Sequence, residues 1–314
     1  DIGTAFLLVF VCVVLKIKYI LSPPAFKEID DLHIGLVFAL PSWKQFYLQH
    51  PSLFVFFSIC CLFAFALYLN YVANKEKLFP RKSFLPALSF LVFTSFLPVL
   101  HIFSVLFIAN MLLFVAFAKT LELPNTAHPQ RLCFDIGLFV SSASLFYFPS
   151  ILLFFLFLAL LLFFRPFKVQ ENIAYLLGII TPIYFLLSIL YLSDSKAVPF
   201  LHLTPPIASN HSGKLLLISL VSMILLVYGL FLTNQNGFKN PIIVRKKWNA
   251  VVLYLFFTML IGVLSRTFPG LPWLLTFAPF SILLSQTFLH HKEKYNTFTF
   301  YFLILLILIV QWVQ

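Results

Sequence analysis

The sequence predicts an all-α fold: a polytopic integral membrane helix bundle. Two observations carry that expectation. Apolar residues make up 61% of the chain and charged residues only 10%, too little charge to cover a soluble domain of this length. The long apolar runs, of which ILLFFLFLALLLFF over 151–164 is the plainest, lack the alternation of a barrel strand. In lipid every backbone N–H and C=O must be paired internally, so such runs are helices. No loop is long enough to bury a core of its own, and 1–314 reads as a single transmembrane domain.

A spanning helix needs about 20 residues, fewer when neighbours enclose it. Segments are predicted at 4–21, 53–73, 84–98, 102–118, 132–147, 149–165, 171–193, 214–233, 248–264, 272–288 and 297–313. That gives about eleven transmembrane helices, or nine to ten if a hairpin is re-entrant. The first segment has no small-residue cleavage site and reads as a retained helix. Cys12, Cys60, Cys61 and Cys133 lie in or beside apolar segments without metal-ligand spacing, so they read as packing residues. The hairpins 84–118 and 132–165 look alike, each with a proline, Pro98 or Pro149, at its corner. Proline there starts the second helix without losing an interior bond. The likeness is either a weak internal repeat or convergent hairpin chemistry.

A net charge of +11 raises nucleic acid as a partner, but basic residues in an apolar chain mark cytoplasmic loops instead. NKEKLFPRKS (74–83) and QNGFKNPIIVRKKW (235–248) each hold four. Placing both in the cytoplasm brings Lys119, Arg131, Arg165, Lys168, Lys292 and Lys294 to the same side, fourteen of the 21 basic residues in all. The expected location is the inner membrane, multi-pass, with the N-terminus cytoplasmic and the 22–52 and 194–213 loops extracytoplasmic.

The 22–52 loop is more than a tether. Asp31 is placed to cap a short helix over 32–40, which Pro41 ends. Ser42 and Gln45 fit a capping box for a second helix over 42–50. There Trp43, Phe46 and Tyr47 share one face while Lys44, Gln45 and Gln49 take the other, a pattern that suits the membrane interface.

The stretches LCFDIGLFVSSASLFYFPSILLFFLFLALLLFF (132–164) and VLKIKYILSPP (14–24) resemble a family of uncharacterised Bacteroidota integral membrane proteins. That family has no assigned activity, so no residue role comes with the resemblance. In layout the chain is also similar to the GT-C superfamily of polyprenyl-linked glycosyltransferases. Those are polytopic, with interfacial helices and a catalytic acid in the first extracytoplasmic loop and short middle hairpins like SLFYFPSILLF. No stretch of these 314 residues reads as the large extracytoplasmic C-terminal domain that many of them carry.

The candidate chemistry follows the same loop. Glu28, Asp30 and Asp31 cluster after the first helix. Asp30 and Asp31 are the candidate catalytic acids, as a general base for an acceptor hydroxyl; the alternative is a solvated loop with Asp31 as a cap. Asp30 and His33 have the spacing to share a divalent cation on one helical face, and no other cofactor is implied. Lys16 and Lys18, in the last turns of the first helix, either snorkel outward or form a cationic shelf for a lipid phosphate. Arg266, in SRTFPGLPW (265–273), is expected on the same side and suits bidentate phosphate contact. Asp135 is expected to pair with Arg131 one turn away. His101, His202 and His211 could line an outer cavity. No P-loop, GxGxxG, HExxH or GxSxG motif occurs.

The leading expectation is an outer-face enzyme of envelope glycan assembly that takes a sugar from a polyprenyl-phosphate donor. The rivals are a non-catalytic subunit held among other envelope proteins and a lipid or small-solute carrier. Membrane lipids are the common partner of all three; nucleic acid is not expected. The topology is testable at once. Single cysteines placed in 74–83 and 235–248, in a background lacking the four native ones, should resist a membrane-impermeant thiol reagent added from outside. Strong labelling at both positions would invert the bundle.

Overall fold

The computed structural model describes residues 2–22, 49–95, 101, 104–192, 241–264 and 273–290. Every regular element among them is helical: α1 (Ile2–Leu21), α2 (Pro51–Lys75), α3 (Leu85–Thr94), α4 (Val105–Glu122), α5 (Pro129–Phe146), α6 (Leu153–Phe164), α7 (Val169–Leu192), α8 (Ile242–Leu264) and α9 (Leu274–His290). Three stretches, Pro51–Lys75, Leu106–Asn125 and Val169–Leu192, are long and apolar enough to cross a membrane. The expected segments 214–233 and 297–313 and the interfacial helix over 32–40 lie outside the described residues, as does all but the end of 42–50.

The helix ends are set locally. Pro51, Pro86 and Pro129 occupy first turns, where a missing N–H costs no intrahelical bond. Pro149 turns the chain from α5 into α6 through a short 3-10 segment, Phe148–Leu152, as its position in the sequence suggests; Pro98 lies outside the described residues. One boundary differs clearly. α8 begins at Ile242 rather than at 248, so Arg245, Lys246 and Lys247 ride on the helix instead of in the loop. The Lys247 ammonium is tied to the Glu76 carboxylate at 2.6 Å, which offsets the cost of a cation near a helix N-terminus.

The ten-residue α3 is the centre of the bundle. It is apolar all round, and every residue from Pro86 to Thr94 is buried, the pattern of a helix enclosed on all sides. Phe90 meets Phe65 of α2 edge-on at 5.0 Å, and Phe65 also packs against Phe107 and Phe114 of α4. Phe93 meets Phe280 of α9 at 4.9 Å. Farther along α4, Phe117 stacks on Tyr254 of α8 at 4.6 Å. These edge and stacked pairs add to the burial of the rings themselves.

A second kind of contact joins α5 to α7. A Cβ at Gly137 would collide with the Tyr175 carbonyl oxygen, and one at Gly178 with the Phe134 carbonyl oxygen. Each glycine therefore admits the backbone of the opposite helix. One turn on, the Ser141 hydroxyl donates to the Ile179 carbonyl at 2.7 Å. Small residues spaced by four, Gly137 with Ser141 and Ala174 with Gly178, are how helices approach closely when there is no hydrophobic drive between them. Beyond this seam α7 exposes Ile173, Leu177, Ile180, Tyr184 and Phe185. Gly137→Val and Gly178→Val should each destabilise the chain by about 1–3 kcal/mol, read as a lower melting temperature in detergent. Leu177→Val, on the exposed face, should change little. Wild-type melting of both glycine variants would refute the close crossing.

Candidate functional site

The polar groups of the described residues gather at two levels. At one end the turns between α2 and α3, α4 and α5, and α6 and α7, with the start of α8, carry the ion pairs. Lys75 meets Glu122 at 2.6 Å, Lys119 meets Asp135 at 2.8 Å, and Arg165 meets Glu171 at 3.7 Å. The Lys247–Glu76 pair is almost fully enclosed, with side chains 4% and 6% exposed. Each of the four described carboxylates thus has a basic partner. This end joins 74–83 to the start of α8, since Trp248 donates its indole N–H to the Leu78 carbonyl at 3.1 Å. Asp135 departs from its expected pairing. Its partner is Lys119 of the neighbouring α4, whereas Arg131 is exposed on α5's own surface. The half-buried lysine reaches the carboxylate across the helix interface.

The other level lies farther along the bundle. From Leu85 to Thr94 α3 runs about 14 Å at 1.5 Å per residue, and stops with its C-terminal end inside the fold. The last carbonyls of a helix have no partner within it, and in an apolar interior they must be satisfied by other groups. Here the Ser95 N–H reaches back to the Val92 and Phe93 carbonyls, and side chains add to it. Thr94 and Ser95 turn their hydroxyls back to the Leu91 carbonyl, at 3.1 and 2.7 Å. From α1, Tyr19 donates its hydroxyl to the Ser95 carbonyl at 3.0 Å. Lys16, one turn earlier on the same face, donates its ammonium to the Thr94 hydroxyl at 3.2 Å and lies 3.1 Å from His101 Nε2. His101 in turn stacks on the Tyr19 ring at a centroid distance of 3.9 Å.

Lys16, Thr94, Ser95, His101 and Tyr19 are all buried. Lys16 therefore does not snorkel. No carboxylate among the described residues lies within ion-pair range of it. Its charge faces the negative end of the α3 dipole and a ring nitrogen that, to accept from an ammonium, must carry its own proton on Nδ1. Arranged this way, the cluster holds one positive charge in a buried setting and pins α1 to α3 and to His101.

The predicted site residues fall as follows. Lys16 is enclosed in this cluster, and Lys18, half a turn on, is half-buried. Asp30, Asp31 and Arg266 lie outside the described residues, as do His33, His202 and His211. α9 lies beside the end of α3, where Phe93 meets Phe277 and Phe280, and a Cβ added at Gly262 of α8 would come within 3.5 Å of the Trp273 ring. Among the described residues no three His, Cys, Asp or Glu side chains converge as metal ligands. His101 was legible only as a corner histidine, and Thr94 and Tyr19 carried no signal in the sequence.

Lys16→Met keeps the length of the side chain but leaves the Thr94 hydroxyl and His101 Nε2 without their donor. It should destabilise the chain by about 1–3 kcal/mol, measured by thermal melting in detergent. An unchanged or raised melting temperature would rule out the lysine as the closure of α3. Comparison with protein-family models, with curated proteins and with solved structures gave no match.

Proposed function

We propose that the chain is a multi-pass inner-membrane protein with a cytoplasmic N-terminus, built of about eleven spanning helices, that transfers a sugar from a polyprenyl-phosphate donor at the outer face in the manner of GT-C enzymes. The observation that supports this reading most is the segregation of charge. All four described carboxylates are consumed in ion pairs at the basic end, while the opposite level holds a buried cation. A buried ionisable group in a membrane bundle is retained for a purpose more often than by chance. In this reading Lys16, being enclosed, positions the α3 end, and Lys18 and Arg266 meet the donor phosphate. Asp30 or Asp31 takes the proton from an acceptor hydroxyl. The hydroxyl oxygen attacks the anomeric carbon, the bond from that carbon to the phosphate oxygen breaks, and polyprenyl phosphate leaves.

A second reading, a non-catalytic subunit of an envelope complex, draws on α7. That helix is held by the glycine seam to α5 and by Tyr175 on Phe154 of α6, and leaves most of its apolar surface open among the described residues. The two readings separate in one assay. Purified chain in liposomes is given a panel of polyprenyl-phosphate hexoses, and release of polyprenyl phosphate is followed. Asp30→Asn and Asp31→Asn should reduce release at least a hundredfold in at least one case, about the contribution of a general base, with expression intact. Lys18→Ala should raise the donor concentration needed for half-maximal rate. If release is absent, or indifferent to both carboxylates, the enzyme reading fails and the subunit reading stands.

A further inference from the structure

The turn after α2 holds its backbone in a conformation that its sequence does not favour. Lys77 sits at φ 51°, in the left-handed region, where glycine or asparagine is the usual occupant. The surrounding bonds enforce it. The Leu78 N–H donates to the Ala73 carbonyl and the Lys77 N–H to the Asn74 carbonyl, the paired bonds of a helix closed by a left-handed residue. Leu78 and Phe79 are buried, Phe79 meets Trp248 edge-on at 5.7 Å, and Trp248 binds the Leu78 carbonyl. The enclosed Lys247–Glu76 pair fixes the residue before Lys77. A strained residue that its neighbours over-determine is a pointer to function, and here the strain is borne by a lysine whose side chain is exposed.

That lysine lines an open cleft of about 400 Å³, together with Lys75, Glu76, Glu122, Asn125, Thr126 and Lys247. Lys75 is paired with Glu122 and Lys247 with Glu76. Lys77 has no ion-pair partner among the described residues, so the cleft carries one uncompensated positive charge. An apolar track leads away from it along α2: Lys75 stands over the Tyr71 ring at 6.0 Å, and Tyr71 and Leu67, at four-residue spacing, are exposed. One free cation, neutral hydrogen-bonding groups in Asn125 and Thr126, and an exposed apolar stripe below match a monoanionic headgroup with its acyl chains.

We propose that this cleft binds the phosphodiester of an anionic phospholipid, with Lys77 as the cation that contacts it and the Leu67–Tyr71 face of α2 as the seat of an acyl chain. The site lies at the opposite end from the proposed transfer chemistry and rests only on the membrane reading of the bundle. Basic pockets at the cytoplasmic ends of helices hold headgroups in this way. Lys77 is then kept in a left-handed position because the charge is needed at that point of the turn.

The test is native mass spectrometry of the full chain in detergent, titrated with phosphatidylglycerol, phosphatidylcholine or soluble glycerol 3-phosphate, alongside thermal melting. Phosphatidylglycerol should bind in preference to the other two. Lys77→Gly should weaken it about fivefold, the effect of one surface cation. The same variant should melt roughly 1–2 °C higher, because it relieves the backbone. Lys77→Arg should keep the binding. The proposal is overturned if Lys77→Gly binds phosphatidylglycerol as wild type does, if phosphatidylcholine binds equally, or if glycerol 3-phosphate binds as tightly, which would make the ligand a soluble anion. A chain that alkaline carbonate strips from membranes would overturn the membrane reading and the lipid site with it. One that stays embedded yet ignores phosphatidylglycerol overturns the lipid site alone.

Discussion

The closure of α3 by α1 is the contact on which the centre of the bundle depends. A ten-residue helix that ends inside an apolar interior leaves carbonyls that need donors from outside its own ladder. Tyr19 donates to the Ser95 carbonyl, the hydroxyls of Thr94 and Ser95 donate to the Leu91 carbonyl, and Lys16 donates to the Thr94 hydroxyl. The cost of enclosing a lysine is met in part by the α3 dipole and by the His101 nitrogen. Because α3 touches α1, α2 and α9 through buried aromatic and polar groups, its position fixes theirs. α4 follows through Phe65, whose ring touches residues of both α3 and α4.

Charge is distributed so that the two ends do different work. At the basic end carboxylates neutralise lysines and arginines between neighbouring helices, and only the Lys247–Glu76 pair is deeply enclosed. Removing one member of such a pair leaves a bare charge and costs about 3–5 kcal/mol, whereas the exposed Lys75–Glu122 pair contributes about 0–1 kcal/mol. The basic end therefore sets register through one buried pair and tolerates variation in the rest. At the other level a single buried cation, Lys16, is held without an acid among the described residues.

The two proposed sites place different demands on the same scaffold. A donor phosphate at the outer face needs cations near helix ends, and these follow directly from the exit of α1. A headgroup at the basic end needs the one charge that the ion pairs of the cleft leave over, presented by a turn that Trp248 and Glu76 keep from relaxing.

The sequence by itself determined the helical class and most helix limits. α1, α2 and α7 fall within two residues of the segments expected at 4–21, 53–73 and 171–193, and the Pro149 corner lies where proline chemistry puts it. Those features are legible because a helix in an apolar setting satisfies its backbone within the segment, so composition and proline positions suffice. What the tertiary structure alone decided are the pairings between segments: Lys119 rather than Arg131 for Asp135, Thr94 and His101 for Lys16, Gly137 against Gly178, and the left-handed Lys77. Of the expected site, only Lys16 and Lys18 fall among the described residues. Lys16 could not be placed from sequence, since whether a lysine snorkels or turns inward depends on a helix end about eighty residues away. Such choices rest on interhelical distances of a few ångströms, which no local pattern of residues encodes.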